Sequence, residues 1–250
     1  MGPAIEVVPL HLGTIDVDVA DLRFGHTGPD TLAVPMWAWL VRAGGEAVLV
    51  DAGPPSLEWC AGNTLPVRDA TERQLHETLA RHGLRPRAVR AVVLTHLHWD
   101  HCGGLGLFEH AQVLVQQRER GYAADPLWVH ERPFRYAHEF LLDHGPLAGA
   151  VPLDGDTSFA PDIRILAAPG HTPGSQVVVV GAGSGSVILA GDTISIGANR
   201  TRSDGHIRPG GVFVRLDEYV DTLARLTRLP GRILPGHEPS VAPDVPIAIH

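Results

Sequence analysis

Short runs of valine, isoleucine, leucine and alanine recur along the chain, and most end on glycine, proline or a small polar residue. By length and by their β-branched content they read as buried strands. The runs lie at Ile5–Val8, Trp37–Val41, Ala47–Val50, Ala91–Leu94, Gln112–Val115, Ile163–Ala167, Gln176–Val180, Ser186–Ala190 and Ile233–Leu234. A different period appears between some of them. Asp69 with Glu72 three residues on forms a capping box, Leu75 and Leu79 share a face, and Gly83 supplies a stop, so a helix is predicted there. A short helix is predicted at Arg118–Ala123. A longer one, Asp217–Leu229, carries Val220, Leu223 and Leu226 on one apolar stripe. Strands then helices, twice over, predict two sheets packed face to face with helices outside.

Two stretches break the pattern. The segment Asp16–Trp37 reads as a loop leading into a strand, with Trp37 and Trp39 as core residues. Residues 121–150 mix aromatics, prolines and histidines with little periodicity, and a connection that long reads as a lid or binding loop.

Polar residues gather where the strands end. Ala91–Leu94 runs into His96-x-His98-x-Asp100-His101, followed by Gly103-Gly104, which lets the chain turn sharply. His171 follows Ile163–Ala168, Asp192 follows Val187–Leu189, and His237 follows Ile233-Leu234, each flanked by glycine or proline. Singly, His171 and His237 would pass for loop histidines and Asp192 for a turn residue. Four strand ends offering imidazole or carboxylate in the same manner point instead to a bound first-row divalent metal, zinc by default. Cys102 adjoins the first motif and is read as a small packing residue. No GxSxG nucleophile elbow is present, which disfavours serine catalysis.

This set of motifs resembles the metallo-β-lactamase superfamily and, within it, the N-acyl homoserine lactonases, the quorum-quenching branch. Leu49-Val50-Asp51-Ala52-Gly53 also matches that family's early strand and structural aspartate. The resemblance runs from about Pro35 to His237. It implies an αβ/βα sandwich, two mixed β-sheets with helices outside, formed by residues 1–250 as one domain with a substrate lid around 121–150. It further implies that His96, His98 and His171 hold one metal, that Asp100, His101 and His237 hold a second, and that Asp192 bridges them. Zinc is expected at both sites, with iron, manganese or cobalt as substitutes. Such a pair lowers the pKa of a shared water towards ~7 and clamps both the attacking and the leaving oxygen. The expected reaction is therefore the opening of a lactone or related ester by hydroxide, with Asp100 passing a proton to the leaving oxygen.

One departure bears on the substrate. The lactonases this chain resembles carry a tyrosine three residues after the bridging aspartate, where Ser195 stands here. Tyr122 and His206 are candidate replacements for its hydrogen bond to the substrate carbonyl, and Arg200 and Arg202 lie in the same glycine-rich loop. Trp128, Phe134 and Tyr136 join Tyr122, Ser195 and His206 as candidate substrate contacts. The alternatives are a thioesterase or small-ester hydrolase, a mononuclear iron oxygenase acting on persulfides, and a non-catalytic metal-stabilised binding protein.

Composition narrows the partners. The chain has 44% hydrophobic and 19% charged residues, as a globular protein does, and a formal net charge of −8. That charge argues against nucleic acid, whose binding needs clustered Arg and Lys. No run is long enough for a membrane span, and Met1–Leu12 lacks the pattern of a secretory signal. Two cysteines, Cys60 and Cys102, are expected to be free in a cytoplasmic protein, a monomer or homodimer acting on a small substrate with a hydrophobic part.

Overall fold

The structure is a computed structural model that describes residues 5–71, 73–143, 145–200 (without the Arg200 side chain) and 207–249. Its strands are β1 (Ile5–Asp18), β2 (Thr31–Ala43), β3 (Glu46–Val50), β4 (Val67–Arg68), β5 (Val89–Val93), β6 (Gln112–Gln116) and β7 (Val151–Leu153), then β8 (Thr157–Ala160), β9 (Ile163–Ala167), β10 (Gln176–Val180), β11 (Val187–Leu189), β12 (Arg232–Leu234) and β13 (Ile247–Ile249). The α-helices are α1 (Val19–Leu22), α2 (Leu57–Asn63), α3 (Gln74–Arg81), α4 (Trp99–Cys102), α5 (Gln117–Ala124), α6 (Glu131–Tyr136) and α7 (Leu216–Thr227).

The strands form two mixed sheets. The first runs β13-β1-β2-β3-β5-β6-β7, with β4 also on β1; the second runs β12-β11-β10-β9-β8. Alternation along the strands explains the layering. Val178 and Val180 of β10 face inward with Trp39, Val48, Val50 and Val93 of the first sheet. Val177 and Val179 face outward onto Tyr219, Leu223 and Leu226 of α7. The outer face of the first sheet, Leu40, Leu49 and Val92, is covered by Leu79 of α3 together with Leu105, Phe108 and Phe134. The layers are therefore helix, sheet, sheet, helix, the expected αβ/βα sandwich. Among the described residues, no helix is long and apolar enough to cross a membrane.

Four local expectations need correction. The Asp16–Trp37 segment is mostly strand: β1 and β2 pair antiparallel as far as Asp18↔Thr31, after a register shift between His11 and Thr14. Buried Ile15, Val17 and Val34 alternate with exposed Asp16, Asp18 and Ala33, a period masked by the Gly-Pro-rich turn between them. Helix α3 starts at Gln74 and not at Asp69, whose φ of 54° does not suit an N-cap; Glu72, the other half of the capping box, lies outside the described residues. Instead, the Gln74 side chain accepts the Thr71 amide at 3.2 Å.

Residues 121–150 are largely helical, with α5, α6 and a π-helical turn at Ala137–Leu141, and Phe134, Ala137 and Leu141 are buried in the core. On α7, Val220 is 51% exposed while Tyr219 is fully buried, so the inward stripe runs through Tyr219, Leu223 and Leu226. Accordingly, Leu223→Ala should cost about 2–5 kcal/mol of unfolding free energy, the range for buried leucine truncations. Val220→Ala should stay within about 0.5 kcal/mol. Urea titrations of the two variants check both, and equal losses would place Val220 on the buried face.

Candidate metal centre

The ends of β5, β9, β11 and β12 lie at one edge of the seam between the sheets, and the loops that leave them converge. Gln176 fastens this edge. Its amide N–H donates to Thr95 O at 2.8 Å, its side chain donates to Leu94 O at 2.7 Å, and its Oε1 accepts from Gln116 of the first sheet at 2.8 Å. The Asp192 loop interlocks with the His237 loop through Gly236 N–H to Gly191 O and His237 N–H to Ser195 O. Gly191, at φ 48°, passes so close to Thr95 that a Cβ would lie 2.6 Å from the threonine hydroxyl. Only glycine allows that approach.

Seven side chains meet there in two groups able to hold a metal ion: His96, His98, His171 and Asp192, and beside them Asp100, His101 and His237. Asp192 faces both. Its Oδ2 lies 3.6 Å from His171 Nε2, and its Oδ1 lies 3.4 Å from His101 Nε2 and 3.0 Å from His237 Nε2. His98 Nδ1 is 3.2 Å from His171 Nε2. Asp100 Oδ2 stands 3.6 Å from His101 Nε2 and 3.5 Å from His237 Nε2. A tetrahedron of nitrogen and oxygen ligands around zinc has edges of roughly 3.3 Å, so these spacings fit such an ion.

The buried atoms without a partner give a second test. Among the described residues six buried side-chain atoms have no hydrogen-bond partner, and three of them, His96 Nε2, His101 Nε2 and Asp192 Oδ1, belong to the two groups. Orphans of this kind are costly unless something satisfies them. Three such atoms gathered at one place, among imidazoles and a carboxylate, fit a pair of cations.

Four of the five imidazoles are aimed by their other nitrogen. His101 Nδ1 lies 2.8 Å from Asp51 Oδ2, His171 Nδ1 2.9 Å from Val212 O, and His237 Nδ1 2.8 Å from Pro35 O. His96 Nδ1 lies 3.1 Å from the Thr95 hydroxyl, which in turn donates to Asp51. An Nδ1–H tautomer satisfies these four rings and leaves their Nε2 atoms for the centre, whereas His98 presents Nδ1. Asp51 takes a left-handed backbone (φ 61°). Its Oδ1 also accepts the Thr95 N–H at 2.7 Å, so one carboxylate steadies a ligand of each group.

Burial, reinforced by the neighbouring rings, holds His96 and His98 well below the ordinary imidazole pKa; burial alone dominates at His171. Burial thus favours the neutral, ligating form of all three. At His101 and His237 burial also opposes charge, but it is outweighed, at His101 by Asp100, Asp51 and Asp192 and at His237 by Asp192 and Asp100. Asp192 is itself held well below the usual carboxylate range: burial raises it, and His237 and His101 more than compensate. The second group thus favours positive charge. Burial pushes the Cys102 thiol well up, and its Sγ points to Leu97 O at 3.6 Å, a packing role.

The sequence profile of the metallo-β-lactamase superfamily matches residues 33–237. The chain belongs to that superfamily. With a dinuclear metal site in this fold it is a metal-dependent hydrolase. N-acyl homoserine lactonase of Bacillus thuringiensis is 28% identical over 191 residues, 72% of each chain. Probable metallo-hydrolase Rv2300c of Mycobacterium tuberculosis is 36% identical over 149 residues, 53% of this chain and 46% of that protein. Among solved structures, a quorum-quenching N-acyl homoserine lactone lactonase superposes with a TM-score of 0.77 at 22% identity, covering 96% of this chain and 95% of its own, which shows a shared fold.

The cavity beside the metal centre, about 250 Å³, is lined by His98, Asp100, His171, Asp192 and His237 with Ile15, Val17, Asp21, Leu22, Leu65, Trp99, Arg132, Pro133, Ser195 and Val212. Of the expected substrate contacts among the described residues, Ser195 lines it and the four aromatics do not. Phe134 is fully buried, its ring edge-to-face on His98; Tyr136 packs on Trp59 and Phe140. The Tyr122 hydroxyl is engaged by His130 Nδ1 at 2.7 Å, and Trp128 is 80% exposed outside the cavity lining. Phe134 and Tyr136 therefore pack behind the cavity, Tyr122 is tied to His130 and Trp128 faces solvent, and Arg132 and Pro133 are what residues 121–150 contribute to the lining among the described residues. His206 and Arg202 lie outside the described residues, as does the Arg200 side chain.

Sequence reasoning missed Tyr219, whose hydroxyl sits 2.9 Å from Asp192 O and 3.0 Å from Thr193 O beneath the Asp192 loop. Its place on the inward stripe of α7 was the available signal. It also missed Glu119, fully buried, which burial pushes up to about 7 against hydrogen bonds from Thr172, Leu97 and Gly174. Gently purified protein should contain two transition-metal ions per chain by elemental analysis, and Asp192→Ala should bring that value below two. An unchanged stoichiometry would remove Asp192 from the bridging position.

Proposed function

We propose that the protein opens a lactone, or hydrolyses a closely related carboxylic ester, bearing an apolar acyl chain or ring, with zinc as its metal. The observation that carries this reading is the composition of the cavity. Metal-site carboxylates and imidazoles share about 250 Å³ with Ile15, Val17, Leu22, Leu65, Trp99 and Val212. A carbonyl presented to the metal side leaves the remainder of the substrate against apolar wall, a division suited to an acyl group. The lactonase relatives support the choice of bond.

Two divalent cations in the site would polarise the carbonyl and supply a water of lowered pKa as nucleophile. His96, His98 and His171 would hold one and Asp100, His101 and His237 the other, with Asp192 between them. The chain's own groups do the rest. Asp100 lines the cavity, and in this reading its carboxylate would take the proton given up by the attacking water and pass it to the leaving oxygen. Trp99, Pro133 and Leu65 give the same cavity apolar surface. Ser195 Oγ is directed back to Asp192 O at 3.5 Å, too short a group to orient a carbonyl across the cavity. Orientation therefore rests on the metal site and on Arg132, whose Nε donates to Asn63 O at 3.1 Å and fixes the guanidinium at the cavity wall.

Metal-loaded enzyme assayed against acyl homoserine lactones, γ- and δ-lactones, aryl esters, thioesters and phosphodiesters should favour lactones, with turnover rising with acyl length. Activity confined to thioesters or phosphodiesters would defeat the proposal. Asp100→Asn, with metal content measured alongside, should lower kcat by about 10²–10⁴ and change KM far less. That loss should shrink for esters with good leaving groups; a uniform loss would make Asp100 a ligand only.

A further inference from the structure

Glu119 is the carboxylate in this molecule with the least evident reason to be where it is. It sits in α5, outside the metal centre, with no exposed surface, and among the described residues no arginine pairs with it. A carboxylate so placed is costly unless its acceptors are filled, and they are filled in a particular way. Oε1 accepts the Leu97 N–H at 2.9 Å. Oε2 accepts the Thr172 hydroxyl at 2.7 Å and the Gly174 N–H at 2.9 Å. Leu97 stands between His96 and His98, and Thr172 follows His171. The Thr172 hydroxyl lies 2.6 Å from Ser175 Oγ, which accepts the Thr172 N–H, so the turn beyond His171 is closed as well. Gly174 has no room for a Cβ against the Glu119 backbone, so helix and loop are in direct contact.

All three bonds go to the two loops that carry His96, His98 and His171. None goes to the loops of Asp192 or His237. We infer that Glu119 is a positioning residue for the first metal site: one carboxylate joins the His96–His98 loop to the His171 loop and presets the spacing of their three imidazoles. Glu119 reaches the loops of the first site alone, whereas Asp51 reaches both sites, His101 directly and His96 through Thr95, and the Pro35 carbonyl aims His237 of the second. This role of Glu119 concerns the metal centre alone and holds whatever ester the protein takes.

The test is zinc release from the holoenzyme into a chromophoric chelator, which resolves two sites; His171→Ala and His237→Ala identify them. Glu119→Gln keeps the side-chain shape but turns an NH₂ toward an N–H donor. It should weaken the first site about 10–100-fold, the usual cost of losing a partner that orients metal ligands. The second site should hold its zinc nearly as before. Thr172→Val removes one of the three bonds and leaves the carboxylate, so it should weaken the same site by a smaller factor, and it decides the matter if Glu119→Gln does not fold. Equal weakening of both sites, or a lower melting temperature with zinc affinity unchanged, would show Glu119 to be a fold residue only.

Discussion

Five imidazoles and two carboxylates are buried together at the edge where two sheets meet, and the rest of the molecule is organised around making that burial tolerable. Few of them find a partner in one another, and three of their atoms have no hydrogen bond at all. What holds them is a surrounding layer of acceptors: Asp51 for His101 and for the Thr95–His96 pair, the Val212 carbonyl for His171, the Pro35 carbonyl for His237. Each fixes a ring and its tautomer, so the free nitrogens converge at spacings a small divalent ion can use.

The sandwich supplies the rigidity this needs. The inner faces of the sheets are dry, built on Trp39, Val50, Val93, Val178 and Leu189. At its edge polar side chains cross the seam, where Gln116 and Gln176 bridge the sheets beneath the metal loops. The strands therefore cannot slide without breaking buried hydrogen bonds, and loops of only a few residues suffice to carry the ligands. The aromatic segment after α5 belongs to the same scheme. Phe134 packs edge-to-face on His98 from behind, leaving Arg132 and Pro133 at the cavity wall.

Much of this was legible along the chain. The apolar runs located most of the strands. The strand-end positions of His96, His98, Asp100, His101, His171, Asp192 and His237 marked the site, because polar residues after buried strands have few other reasons to recur. The readings that failed were those a one-dimensional pattern cannot decide. Asp69 looked like a helix cap but has a left-handed backbone, and Val220 looked inward-facing but lies one position off the buried stripe of α7. The second half of β1 was hidden because its partner strand, starting at Thr31, lies beyond a turn rich in glycine and proline.

The sequence by itself therefore determined the metal-binding character of the site and the class of fold: residue type and strand-end spacing suffice for both, since they are local properties of the chain. Which side chains face the cavity was decided only by the tertiary structure. Tyr122, Trp128, Phe134 and Tyr136 were equal candidates in one dimension, and packing sent one to a histidine, one to solvent and two into supporting contacts, while Ile15, Val17 and Leu22 came in from the far end of the chain. The same holds for Glu119, an ordinary glutamate of a helix until the fold lays that helix across the two loops it joins. Contacts between residues 22 to 55 positions apart arise from how the elements pack, and no local pattern encodes them.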